Sequence, residues 1–234
     1  MLSCVTNNKP LAPRRLISKE EVVKDPVEVF CRVRPDKSDS SCLKVVNEST
    51  LCLIPPATSR AYISGKETQC SFKYVFDEES TQGAVFDRVG LPLVTDVLQG
   101  KNGLLFTYGV TGSGKTHTMQ GVSKDGGIMT RSIDVIFNSI SEIQTRKYQL
   151  KPDKLNGFEI VNDADASLER QQEAVNNMKN SGRRRAGNSN MSGERLTDSQ
   201  KVGVDEDMQY TVFVSYVEIC NNYTMCSYYK CPRN

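Results

Sequence analysis

The octapeptide Gly109-Val110-Thr111-Gly112-Ser113-Gly114-Lys115-Thr116 constrains the fold more than any other stretch of this 234-residue chain. It fits the pattern G-x-x-x-x-G-K-[ST], in which glycines let backbone N–H groups turn inward and approach an anion closely. With glycine near 7% of residues in general, a chance match in a chain this long occurs on the order of once in a hundred. The flanks sharpen the signal. An apolar run, Leu104–Tyr108, precedes the loop and reads as a strand buried on both faces, as in a parallel sheet. A helix beginning at Thr116–Met119 follows, and a helix start offers unpaired N–H groups and a positive dipole end to the same anion. That anion is the phosphate chain of a nucleoside triphosphate. Lys115 is spaced to reach its β- and γ-phosphates as a point charge, and the Thr116 hydroxyl to sit on Mg²⁺.

Strand–loop–helix order makes the fold α/β, and the rest of the chain agrees. Val27, Val29, Cys31 and Val33 alternate with Glu28, Arg32 and Arg34 until Pro35 stops the run, which predicts a strand. Residues 43–54 and 60–76 predict short β pieces with a turn at Pro55-Pro56. Over 81–98, Val85, Val89, Leu93 and Val97 recur every four positions, with Ser80 as the expected N-cap and Pro92 as the expected kink. Beyond Gly126-Gly127, Ile133, Ile136, Phe137, Ile140 and Ile143 define a helix with a single apolar face. Residues 1–24 read as a flexible leader. Residues 146–208 are polar, glycine-spotted and too long for an ordinary connection, so they read as a largely unstructured insertion with a helical turn near Ala166–Ala174. A buried strand is expected over Tyr210–Ile219, and Tyr223–Asn234 shows neither period nor cap.

Composition excludes several function classes. A formal net charge of +2 makes no strong field for nucleic acid. No apolar run approaches a membrane span, and Lys9, Arg14 and Arg15 are not followed by the apolar stretch of a secretory signal, so a cytoplasmic chain without membrane association is expected. The eight cysteines include no CxxC pair, and His117 is the only histidine, so zinc-ligand spacing is missing and reduced thiols are expected. Neither a Cys–His nor a Ser–His–carboxylate arrangement is visible. Arg183-Arg184-Arg185 reads as a solvated loop, with a nuclear-import or tubulin-contacting patch as the alternative.

Tyr108–Met119 as a whole resembles the nucleotide loop of kinesins, and other pieces resemble that family in the right order. Cys31-Arg32-Val33-Arg34-Pro35 looks like its first-strand motif, and Ser80-Thr81-Gln82 with Val85-Phe86 like the start of its first helix. Lys101-Asn102-Gly103 resembles the turn before the central strand. Gly127-Ile128 with Arg131 and Ile136-Phe137 resembles the second helix, and Val214–Ile219 the strand after it. Val110 and the polar insertion before Tyr210 are similar to mitotic motors of the centralspindlin, cytokinetic type. The resemblance implies a partial motor domain over 25–222, with 146–208 as its insertion and 223–234 as a divergent tail. It also implies a P-loop central sheet flanked by helices, ATP and Mg as cofactors, and microtubules as partner at the spindle and midzone. Arg32, Arg34 and Pro35 would flank the adenine, with His117 beside it; guanidinium planes and an imidazole can stack on a base.

The departures carry equal weight. The resemblance calls for a serine/arginine-rich first switch and a later strand ending in Asp-x-x-Gly, which sense the γ-phosphate and place the attacking water. Neither is found, so the chain reads as the front portion of a motor whose C-terminal half, with the main microtubule-binding elements, is missing. Flanking strands would then be absent on both sides of Leu104–Tyr108, with about 1–3 kcal/mol lost for each buried orphan group. Three activities remain open: an ATP-binding motor piece, an inactive truncated or regulatory fragment without turnover, and a small-molecule kinase, for which Arg183–Arg185 is a poor lid.

Overall fold

The computed structural model describes residues 2–6, 27–36, 42–55, 67–153, 157–181, 197–220 and 223–229. Its N-terminal β region is built from short ladders. Strand β1 is Leu2–Thr6, β2 Phe30–Arg32, β3 Leu43–Asn47, β4 Thr50–Leu53, β5 Thr68–Ser71 and β6 Tyr74–Phe76. β3, β4 and β5 form an antiparallel sheet, while β2 runs parallel to β6 with Cys31 opposite Val75. A small core of Val33, Leu51 and Val75, with Cys31 and Phe72 against it, joins the two. The expected β2 strand is therefore present, shortened to three residues because Val27 and Val29 stay more than half exposed. The Arg183–Arg185 run and residues 56–66, which hold Pro56 and the start of the expected 60–76 β piece, lie outside the described residues.

The helix expected over 81–98 forms in three parts. Helix α1 is Gln82–Val85, a π-helical segment covers Phe86–Gly90, and α2 is Leu91–Leu98. Its cap is Thr81, not Ser80: the Thr81 hydroxyl accepts the Ala84 N–H at 3.2 Å, while the Ser80 hydroxyl donates to Asp77. The irregularity also starts before Pro92. The Leu91 N–H reaches back to the Phe86 carbonyl, a π-type bond, so the widened turn precedes the proline and leaves it at the start of a fresh α segment.

Lys115–Gln120 forms α3, the hairpin of β7 (Gly121–Val122) and β8 (Asp125–Gly126) follows, and Ile128–Ile140 forms α4. The main core packs Phe86, Val89, Val94 and Leu98 against Ile128, Val135, Ile136, Phe137 and Ile140, with Tyr210 and Val212 closing it. α4 is buried on more than the single face its isoleucines predict, since Val135 is 0% exposed and Asp134 2%. The reason is a strap. The returning segment 197–208 lies along α4, with Asn138 Nδ2 donating to the Asp198 carbonyl at 2.6 Å and the Val202 N–H to Ser139 Oγ at 2.9 Å.

The insertion is more ordered than its composition implies. β9 (Leu150–Pro152) pairs with β10 (Phe158–Ile160), and α5 runs Asp163–Ser181, well beyond the expected turn. Asn162 Oδ1 accepts the Asp165 N–H at 2.8 Å as its cap. Lys147 and Lys151 pair with Glu173 and Glu169, and Arg170 donates to the Lys147 carbonyl, so α5 is docked by ion pairs around one fully buried Ala166. Its order comes from polar contacts that carry no hydrophobic period.

β11 (Tyr210–Cys220) forms where a strand is expected and lies antiparallel between β1 and β12 (Tyr223–Tyr229). Among its described side chains, however, only Tyr210 and Val212 are buried, and Tyr216 and Val217 are exposed. Part of the leader and most of the tail thus pair as strands, contrary to the sequence expectation. The expected buried strand Leu104–Tyr108 is corrected too: it joins no ladder among the described residues, and Leu104, Phe106 and Tyr108 are 80%, 68% and 96% exposed. Only Leu105 packs on the core. A strand exists by its neighbours' hydrogen bonds, and this segment has no ladder partner among the described residues. Among the described residues the strands form five small sheets.

Candidate nucleotide-binding site

An open cleft of about 820 Å³ lies between the end of β2, the start of α1 and the loop leading into α3. Thr111 to His117 line one wall, and Arg32, Arg34 and Pro35 the other, so residues about eighty positions apart in the chain face one space. Gly109 and Val110 do not line it. Their carbonyls instead accept the Lys115 ammonium, each at 2.8 Å.

The loop's shape depends on its glycines. Gly112 and Gly114 have φ of +83° and +95°, a region that side chains with a Cβ rarely adopt. The Ser113 N–H closes the turn onto the Val110 carbonyl at 3.1 Å, and α3 starts directly after Gly114. α3 is only six residues long, so its dipole is a small contribution and the loop amides with Lys115 carry most of the positive potential. Arg34 Nη1 donates to the Gly112 carbonyl and ties the strand wall to the loop. The Thr116 hydroxyl is on an exposed residue at the cleft wall.

The other end of the cleft is a hydrogen-bonded cluster. Arg32 Nη1 donates to Gln82 Oε1 at 2.8 Å and to Thr118 Oγ1 at 3.2 Å, and its Nη2 to the Ser80 carbonyl at 3.4 Å. Burial pulls the Arg32 pKa below its ordinary value, and the charge of Asp125 partly opposes that. Asp125 also accepts Arg131 at 2.9 Å, and Arg131 pairs with Asp198 of the strap at 2.7 Å. Burial disfavours the Arg131 charge, but hydrogen bonds and attraction from Asp198 and Asp125 outweigh it, leaving its pKa above the ordinary value. Sequence reasoning missed Gln82, Thr118 and Asp125 as cleft residues. Gln82 stood inside a motif already noted, yet nothing in the sequence shows that it is buried.

The residues fit a triphosphate with Mg²⁺. Among the described residues the Lys115 ammonium is held by two neutral loop carbonyls, which phosphate oxygens can replace with stronger charge-assisted bonds. No group of three or more His, Cys, Asp or Glu residues able to hold a metal occurs among the described residues. The only Asp-x-x-Gly, Asp87–Gly90, precedes the loop and lies in the π-helical segment, away from the cleft wall. Cys31, Cys52 and Cys70 are free thiols, and no helix among the described residues is long and apolar enough to cross a membrane.

Known proteins are similar to this chain. The mouse kinesin-like protein KIF23 is 46% identical over 210 residues, covering 86% of this chain and 22% of the relative. Human kinesin-like protein KIF20A is 37% identical over 162 residues, covering 64% of this chain and 18% of its own. A solved structure described as kinesin 6 superposes with a TM-score of 0.70 at 35% identity, covering 87% of this chain and 48% of that one. The chain thus spans under a quarter of these curated relatives and about half of the solved chain. The family profile described as "Kinesin motor domain" matches residues 32–225. With an α/β fold, a loop and a cleft that agree with that match, the chain belongs to the kinesin motor-domain family.

Proposed function

We propose that this chain binds Mg-ATP in the cleft between the Gly109–Thr116 loop and Arg32–Pro35, as the nucleotide-binding portion of a microtubule motor of mitosis and cytokinesis. The observation that carries the reading is the convergence of Thr111 to Thr116 with Arg32, Arg34 and Pro35 on one open space. Gly109 and Val110 shape the loop behind it, and the likeness to KIF23, KIF20A and kinesin 6 supports the cytokinetic, centralspindlin-type assignment. In this reading the loop amides and Lys115 hold the phosphates, Thr116 contributes one oxygen to Mg²⁺, and Arg32, Arg34, Pro35 and His117 surround the base. The bound Mg²⁺ supplies charge neutralisation at the phosphates. Microtubules are the proposed partner, and the spindle and midzone cytoskeleton the proposed location.

Titration with a fluorescent ATP analogue tests the proposal. Lys115→Ala is expected to weaken binding by at least tenfold, since it removes a charge-assisted contact of about 1.5–3 kcal/mol. Equal binding by both proteins overturns the reading.

A second reading is binding without turnover. Phosphate release in the presence of microtubules separates the two. Release at the level of Lys115→Ala supports a non-hydrolysing, regulatory piece, and release well above it rejects that.

A further inference from the structure

We infer that Gln82 is a positioning residue that fixes the base end of the cleft by holding Arg32 and His117 in one arrangement. The inference rests on the nucleotide reading and adds a residue that the phosphate-loop pattern does not reach.

Gln82 is the first residue of α1 and is 1% exposed, although glutamine is ordinarily a surface residue. All of its amide is used. Oε1 accepts Arg32 Nη1 at 2.8 Å, and Nε2 donates to the His117 carbonyl at 2.7 Å while standing 3.3 and 3.5 Å from the two ring nitrogens of His117. The amide has one orientation only. A guanidinium has donors and no acceptor, so the oxygen must face Arg32 and the nitrogen must face His117. One buried amide therefore links β2 to α3 across the floor of the cleft, between the two groups that face a base.

The arrangement has consequences that a filler residue lacks. Arg32 also donates to Thr118 and Ser80, so its plane is set by three acceptors, of which Gln82 is the nearest. Removing the Gln82 oxygen leaves a part-buried guanidinium with weaker partners and a free choice of plane. A flat base needs a flat, fixed surface, so the loss falls on recognition of the base. The phosphate end is built from Gly112 to Lys115 and has no hydrogen bond to Gln82.

Two ligands separate the two ends: ATP, and inorganic tripolyphosphate, which has the phosphates without the base. Binding of each to the 234-residue chain is measured by calorimetry, with GTP as a third ligand. Gln82→Met keeps the volume and removes the polar atoms. It is expected to weaken ATP binding by roughly tenfold, to leave tripolyphosphate within about twofold, and to narrow the preference for ATP over GTP. If Gln82→Met does not fold, Gln82→Glu carries the test, because it keeps the acceptor for Arg32 and loses the donor to His117. It is expected to weaken ATP severalfold and leave tripolyphosphate unchanged. Equal losses for ATP and tripolyphosphate, or no loss for either, overturn the positioning role. A wild-type chain that binds neither ligand overturns the nucleotide reading itself, and the Gln82 inference with it.

Discussion

The Lys115 ammonium is held by two carbonyls of its own loop, Gly109 and Val110, both at 2.8 Å. A phosphate that displaces them exchanges neutral acceptors for charged ones, so the loop is closed on itself in a way that favours replacement. The lysine could be named from spacing because the pattern is local. Gln82 could not, because its burial depends on Arg32 and His117, 50 and 35 positions away. Tyr148 shows a similar limit. It is the one residue other than glycine with positive φ among the described residues, at 72°, and no turn signature marks it. Burial first, then its hydrogen bond to Glu173 and the charges of Glu173 and Glu169, push its pKa up to about 12. A raised phenol pKa means the folded state prefers the neutral form. This stabilisation is complete below the ordinary value of 10.0 and is lost as pH rises to about 12. Tyr148→Phe, which cannot ionise, is therefore expected to lose less stability over that range. Urea unfolding of both proteins at several alkaline pH values reads it, and parallel curves would contradict the assignment.

Among elements, the helices were legible where their packing is apolar. Val85 and Val89 enter the core as their period predicts, but beyond the widened turn Val94 and Leu98 take the core places expected of Leu93 and Val97; Ile136, Phe137 and Ile140 keep theirs. The π-helical segment was not legible, since the bond that makes it is a backbone register with no residue signature. α5 was missed for a different reason: it is docked by Lys147–Glu173 and Lys151–Glu169, not by an apolar stripe. Gly90 marks the cost of the widened turn. A Cβ there would meet the Phe86 ring at 2.6 Å and Ile128 Cγ2 at 3.0 Å, and Phe86 is 0% exposed, so neither neighbour has room to give. Gly90→Ala is expected to destabilise the chain by about 1–3 kcal/mol through overpacking. Pro92→Ala, at an exposed site past the irregular turn, is expected to stay within about 0.5 kcal/mol. Comparing urea midpoints at constant slope distinguishes them. A proline effect larger than the glycine effect would place the weak point of the helix at Pro92 after all.

At the scale of the molecule, the family fold was legible because its motifs are short, ordered along the chain and chemically specific. The state of the segment before the phosphate loop was not, because a strand is defined by partners that lie elsewhere. Leu104, Phe106, Tyr108 and Val110 form an alternating exposed series, and Leu105 alone between them packs on the core. Large apolar side chains at alternate positions of an unpaired segment are a template for self-association. Two substitutions separate that hazard from folding stability. Phe106→Ser removes a ring that is 68% exposed, so it is expected to change unfolding free energy by no more than about 0.5 kcal/mol while reducing concentration-dependent scattering. Leu105→Ser places a hydroxyl against the core and removes part of its packing, so it is expected to cost about 1–3 kcal/mol without relieving the scattering. Light scattering across a concentration series, paired with urea unfolding on the same samples, measures both quantities. If Phe106→Ser instead destabilises the chain as much as Leu105→Ser does, the ring is part of the core, and the open side of the phosphate-loop segment is covered in solution.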